Sequence, residues 1–163
     1  KKNIDNLLYK KGLDNILQEY GQVFYTGSYF LDVMIWPDID IEMSLNPDPF
    51  SIKKLFEIGE KIADKFKVIS MTFYNRIDFP INDKGLYWNI LINDNKTDIN
   101  IDLWSYPDDV LKKNINTMNS LKNKLTEKNK NKILKIKSLL LTNQGQTPKF
   151  SGFHIYQAVL NNN

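Results

Sequence analysis

The chain has no cysteine. That excludes disulfides, thiolate metal sites and a cysteine nucleophile, and it argues against a small secreted disulfide scaffold. Histidine and arginine are almost as scarce: His154 and Arg76 stand alone. With one histidine and no partner in view, His154 is expected on a helix surface or in packing, without a catalytic role. No apolar run approaches the length that spans a bilayer. The first residues, "KKNIDNLLYKKG", lack the apolar core of a signal peptide, so a cytoplasmic protein is expected. A strong excess of one charge is also missing. The net charge is +3, carried almost entirely by lysine. Abundant Lys, Asn and Ile fit an AT-rich coding bias as well as any function.

What the chain does have is apolar mass: 42% hydrophobic and 12% aromatic residues in a length of 163. That is enough for one domain with a real core and a helical extension. "NIDNLLYKKGLDNILQEYG" places Ile4, Leu7, Leu8, Leu13, Ile16 and Leu17 near helical spacing, which predicts one helix kinked near Gly12 and closed by Gly21. "QVFYTG" reads as a short strand. "SYFLDVM" follows as a short apolar element with Ser28 as its N-cap. After Pro37, "DIDIEMSL" alternates at period two, and "SIKKLFEIGEKIADKF" is an amphipathic helix.

Three strand-like runs come next: "KVISMTFYNRI", "GLYWNILI" and "DINIDLW". The last two flank "NDNKT" and should pair as a hairpin. Beyond Pro107 the pattern is helical, with a break near Thr126 and a last short helix in "GFHIYQAVL". The expected fold is α+β: a small mixed β-sheet flanked by helices, with a C-terminal helical extension. The division expected is a core over residues 1–105 and a helical region over 106–163.

Period two puts Asp38, Asp40 and Glu42 on one strand face, with Ile39, Ile41 and Met43 on the other. "TDINIDLW" repeats the pattern, with Asp98, Asn100 and Asp102 opposite Ile99, Ile101 and Leu103. If the two strands are neighbours, Asp38, Asp40 and Asp102 converge. Three ionised carboxylates at close range need a cation. Oxygen-only donors suit Mg²⁺ or Mn²⁺, and two such ions can activate an attacking oxygen and stabilise a leaving one. Upstream, Gly27-Ser28 sits at a strand-to-helix turn. Glycine lets a phosphate approach the backbone there, the free N–H groups favour an anion, and the Ser28 hydroxyl adds a donor.

Gly27-Ser28, then Asp38-Ile39-Asp40, then a later Asp102 on a strand together resemble the nucleotidyltransferase superfamily of DNA polymerase β-like enzymes. That group includes antibiotic and minimal nucleotidyltransferases. The resemblance spans roughly Val23 to Trp104 and does not reach the C-terminal helices. It implies that Gly27 and Ser28 hold the triphosphate. It also implies that Asp38, Asp40 and Asp102 bind two Mg²⁺ (or Mn²⁺) ions, with Asp102 helping to activate the acceptor hydroxyl. The implied partner is a nucleoside triphosphate, ATP first. The acceptor, an antibiotic-like small molecule, a protein or an RNA, is left open, and no membrane partner is implied.

Other readings stand beside this one. A glycosyltransferase also uses Asp-x-Asp, but its nucleotide-sugar domain fits this short chain poorly. A catalytically silent nucleotide-binding or partner-binding module could keep the same fold. Asp98 faces the same way as Asp102, but Asp102 is preferred because it lies between Ile101 and Leu103 within the strand. Glu42 is expected to be solvated or to support a ligand. Arg76 could meet a phosphate or carboxylate, or pair with Asp78 at the surface. Tyr29, Phe30 and Trp36 are expected mainly in packing, although they could stack on a base. The lysines between Lys122 and Lys137 read as the solvated side of a helix, and no nucleic-acid-binding motif is present.

Overall fold

The computed structural model describes residues 1–78, 84–140 and 151–161. Its centre is set by alternation. Strand β2 (Asp38–Leu45) buries Ile39, Ile41 and Met43, and β5 (Thr97–Ser105) buries Ile99, Ile101 and Leu103. These side chains form one apolar face of a mixed sheet ordered β1-β2-β5-β4-β3, where β1 is Gly21–Tyr25, β3 Val68–Asn75 and β4 Leu86–Asp94. Only β2 and β5 run parallel; the other neighbours are antiparallel. The α+β expectation and the mixed sheet both hold.

The apolar face is covered by helices whose sequences leave a matching stripe. In α4 (Ile52–Lys65) Leu55, Ile58 and Ile62 are buried, and Ser51 caps the helix by accepting from the Lys54 N–H at 3.4 Å. Trp88 of β4 ties the layers together by donating its indole N–H to the Leu55 carbonyl at 3.1 Å. The N-terminal residues differ from the single kinked helix expected. They form α1 (Lys2–Asp5), a π-helical turn over Asn6–Lys10, and α2 (Leu13–Gln18) after a break at Gly12, whose φ is +78°. Gly21 opens β1 rather than closing a helix.

The hairpin β4–β5 turns on Asn95 and Lys96 alone, both at positive φ, which matches the strand twist. On the other sheet face, α3 (Gly27–Phe30) and the turn after it meet three C-terminal helices: α5 (Asp108–Asn123), α6 (Glu127–Leu140) and α7 (Gly152–Asn161). Leu31 and Val33 share a second apolar cluster with Met118, Leu121, Ile133 and Tyr156. Residues 141–143 of the run predicted as α6 lie outside the described residues. No helix among those described is long and apolar enough to cross a membrane.

Candidate active site

The parallel register of β2 and β5 aligns Asp38 with Asn100 and Asp40 with Asp102. One oxygen from each of Asp38, Asp40 and Asp102 lies within 4.8 Å of the others, and all three residues are half-buried. The convergence expected from two alternating strands is therefore present in the fold. Asp98 stays apart. It is exposed at the hairpin end and accepts from the Asn93 amide at 2.6 Å.

The hydrogen bonds are unequally shared. Asp38 accepts from Asn100 at 2.8 Å and from the Trp36 indole at 3.4 Å. Asp102 receives two donors on Oδ1: the Tyr87 hydroxyl at 2.5 Å and the Asn89 amide at 2.8 Å. Asn89 also donates to Asn100 at 2.8 Å, so a polar chain links all these side chains. No hydrogen bond reaches the Asp40 carboxylate among the described residues. Burial, then the charges of Asp38 and Asp102, push the Asp40 carboxyl up to about 7. Burial likewise raises Asp38, against the Asn100 hydrogen bond.

Gly27 is pressed against this carboxylate. Its φ is +59°, and a Cβ built there would stand 1.9 Å from Asp40 Oδ2. Both the left-handed backbone and the lack of space demand glycine. The cap position of α3 is Thr26, not Ser28 as the sequence suggested, because Thr26 alone keeps extended backbone before the turn. Ser28 lies inside the turn and is buried. The Thr26 N–H donates to the Asp40 carbonyl at 2.9 Å, so the glycine turn is fastened to the carboxylate strand.

Lys137 was not anticipated as a site residue. Its sequence context predicts a solvated face, yet it is only 2% exposed. The reason is helical spacing: Asn129, Ile133 and Lys137 recur every fourth residue and all face inward from α6. Its ammonium donates to the Val33 carbonyl at 3.0 Å and lies 4.7 Å from the Trp36 ring centroid. Burial lowers its pKa to about 8, against the pull of Asp40 and Asp38. The other lysines of that stretch are mostly exposed, as expected, although Lys122 lies over Phe30 and Lys130 pairs with Asp32 at 2.5 Å.

The remaining candidates find ordinary places. Tyr29 donates to Asp5 at 2.7 Å, and Phe30 packs edge-on against Phe24. Glu42 accepts from Asn114 of α5 at 2.9 Å. His154 is exposed, with Ser151 Oγ 2.8 Å from its Nδ1. A cavity of about 510 Å³ opens beside the carboxylates, walled by Gly27, Asp40, Glu42, Trp104, Asn114 and Tyr156. Tyr87 and Asn89 were also missed. The two-residue turn fixes the β4–β5 register, so alternation back from Asn95-Lys96 would have placed Asn89 opposite Asp102.

No protein-family model matches the chain, and no curated protein is similar to it in sequence. The fold does have solved counterparts. One is the crystal structure of the Cid1 poly(U) polymerase with Mg and 3′-dATP bound, similar at a TM-score of 0.63 and 15% identity. The similarity covers 97% of this chain and 46% of that one, so the chain spans about half the length of that polymerase. At that identity the likeness is one of fold: the chain shares the fold of that polymerase.

Proposed function

We propose that this protein is a metal-dependent nucleotidyltransferase that moves a nucleoside monophosphate, AMP first, from a nucleoside triphosphate to an acceptor hydroxyl. The observation that carries the reading is the state of Asp40. Its carboxylate is abreast of Asp102, close to Asp38 and bonded by no donor among the described residues. Once ionised, such a group needs a cation. Three carboxylates without nitrogen or sulfur donors fit Mg²⁺ or Mn²⁺. Asp38, Asp40 and Asp102 would hold two such ions, which when bound neutralise phosphate charge and activate an oxygen nucleophile. The fold counterpart that binds Mg and 3′-dATP supports the same class of ligand.

In this reading residues 1–105 are the catalytic core and 106–163 a C-terminal helical region packed on it. Gly27 and Ser28 hold the β- and γ-phosphates through the backbone N–H groups of the first helical turn. Lys137 supplies a buried positive charge near Asp38 and Asp40. The acceptor oxygen attacks the α-phosphorus and the bond to the bridging oxygen breaks, releasing pyrophosphate. Asp102 takes the hydroxyl proton at Oδ2. Its Oδ1 is already held by Tyr87 and Asn89, which fix the carboxylate plane. ATP and Mg²⁺ supply fits the cytoplasm.

Calorimetry with ATP and Mg²⁺ tests the reading. Saturable binding should weaken sharply in the Asp38→Asn, Asp40→Asn double variant, and EDTA should stop release of pyrophosphate. Equal binding by both proteins would remove the metal site. Metal-dependent binding without pyrophosphate release across acceptors would leave a silent nucleotide-binding module.

A further inference from the structure

Strands β3, β4 and β5 align Tyr74 with Tyr87 and Tyr87 with Trp104 on the carboxylate face. The three rings stack in a row, with Tyr74 and Tyr87 centroids 5.5 Å apart and Tyr87 and Trp104 centroids 4.4 Å apart. Arg76 lies two residues beyond Tyr74 and so on the same face. Its guanidinium carbon is 5.2, 5.3 and 5.2 Å from the centroids of Tyr74, Tyr87 and Trp104. The chain's one arginine is thus seated in a cradle of three rings, and its backbone N–H is fixed by the Gly85 carbonyl at 2.9 Å. The surface pair with Asp78 is not formed, and Arg76 makes no ion pair among the described residues.

A guanidinium held over aromatic rings keeps its N–H fork for a planar or tetrahedral oxyanion. This cradle adjoins the triad, because Tyr87 is one of its walls and donates to Asp102. It lies on the β4–β3 side, whereas the Gly27 turn lies on the β1–β2 side. The sheet therefore offers anion-binding features on both sides of the carboxylates. The outermost ring, Tyr74, packs against Tyr87 and is still 43% exposed, on a strand that has no sheet neighbour beyond it among the described residues.

We infer that this shelf holds the acceptor, and that the acceptor is the end of a single-stranded nucleic acid, with a phosphodiester on Arg76 and a base on Tyr74. The identity of the shelf as an acceptor site rests on the nucleotidyltransferase reading; its binding of a strand does not. Charge complementarity decides the class. A polycationic small molecule would be repelled by Arg76, and an acidic peptide would leave the ring row unused. A nucleic-acid strand uses both, since stacking and phosphate contact are how single strands are held.

The test is fluorescence anisotropy of a 5′-fluorescein-labelled RNA of about eight nucleotides with the whole chain in Mg²⁺ without nucleotide. Arg76→Ala should weaken binding about tenfold and lower the slope of log affinity against log salt by about 0.7, one phosphate's worth on a single strand. Tyr74→Ala should weaken it about tenfold with the slope unchanged. Neither change should alter ATP–Mg²⁺ binding by calorimetry. Neither polyglutamate nor AMP, at matched phosphate or carboxylate concentration, should displace the RNA. No binding by the wild type, equal affinity in the variants, or displacement by polyglutamate or AMP would overturn the inference. Should Arg76→Ala not fold, Arg76→Lys and Tyr74→Ala decide it, since unchanged affinity in either has the same consequence. Absence of ATP–Mg²⁺ binding in the wild type would instead remove the catalytic reading and leave strand binding to stand or fall by the anisotropy.

Discussion

The carboxyl of Asp40 stands where burial and two like charges all favour its protonated form. The sign of the consequence is fixed. A native carboxyl raised to about 7 keeps a proton that the unfolded chain has released above roughly pH 4. Its contribution to stability is fully present below that lower value and is lost as pH rises to about 7. At about 1.4 kcal/mol per pH unit, the total is a few kcal/mol. Asp40→Asn lacks this term. In urea titrations without metal, the variant should therefore gain on the wild type as pH rises from about 4 to about 7, and hold the gain above that. Parallel stability curves across the range would contradict the crowded-carboxylate description. Gly27→Ala tests the neighbouring constraint. A left-handed alanine costs about 1–3 kcal/mol, and its Cβ would displace the Asp40 carboxylate. Melting temperature should fall and no longer rise with added Mg²⁺. An unchanged Mg²⁺ shift would mean that the turn and the triad are independent.

The elements that carry alternation were legible without coordinates. Asp38, Asp40 and Asp102 could be placed on one face because period two survives any uncertainty about strand ends, and apolar partners on the opposite face fix the register. The hairpin was legible for the same reason. Shorter elements were not. In α3, one turn long, nothing in "TGSYF" separates Thr26 from Ser28 as the cap, and the choice is made by the close packing of Gly27 on Asp40. For Lys137, charge alone points to solvent, whereas its spacing from Ile133 puts it on the inner stripe of α6. That element can be tested directly. Lys137→Met keeps the volume of the stem and removes the charge. It should weaken ATP binding about tenfold or more and AMP binding much less, because an ammonium near Asp38 and Asp40 matters most to the longer anion. Equal losses for ATP and AMP, read by competition calorimetry, would make Lys137 a packing residue.

At the scale of the whole molecule, two apolar clusters meet at β1 and α3. Tyr25 and Tyr29 pack against the sheet's main core, while Phe24, Phe30, Leu31 and Val33 pack with the C-terminal helices. The short segment that carries Gly27 is therefore held from both sides. Leu31 and Val33, at 1% and 0% exposed, owe that burial to α5, α6 and α7. Neither cluster can open without uncovering residues one or two positions from the other's. The chain should then unfold in a single transition, even though its sequence changes from strands to helices near Pro107. Near-ultraviolet circular dichroism reports both sides, because Trp88 lies in the main core and Trp36 beside Lys137. Adding Mg²⁺ with a non-hydrolysable ATP analogue at a hundred times its Kd should raise the stability of that single transition by about 2.7 kcal/mol. A ligand that touches only the Gly27 turn and the triad would then stabilise the distant helices as much as the sheet. Two separable transitions, with the ligand moving only one, would show that the helical region is a loosely attached body and that the turn takes its order from the sheet alone.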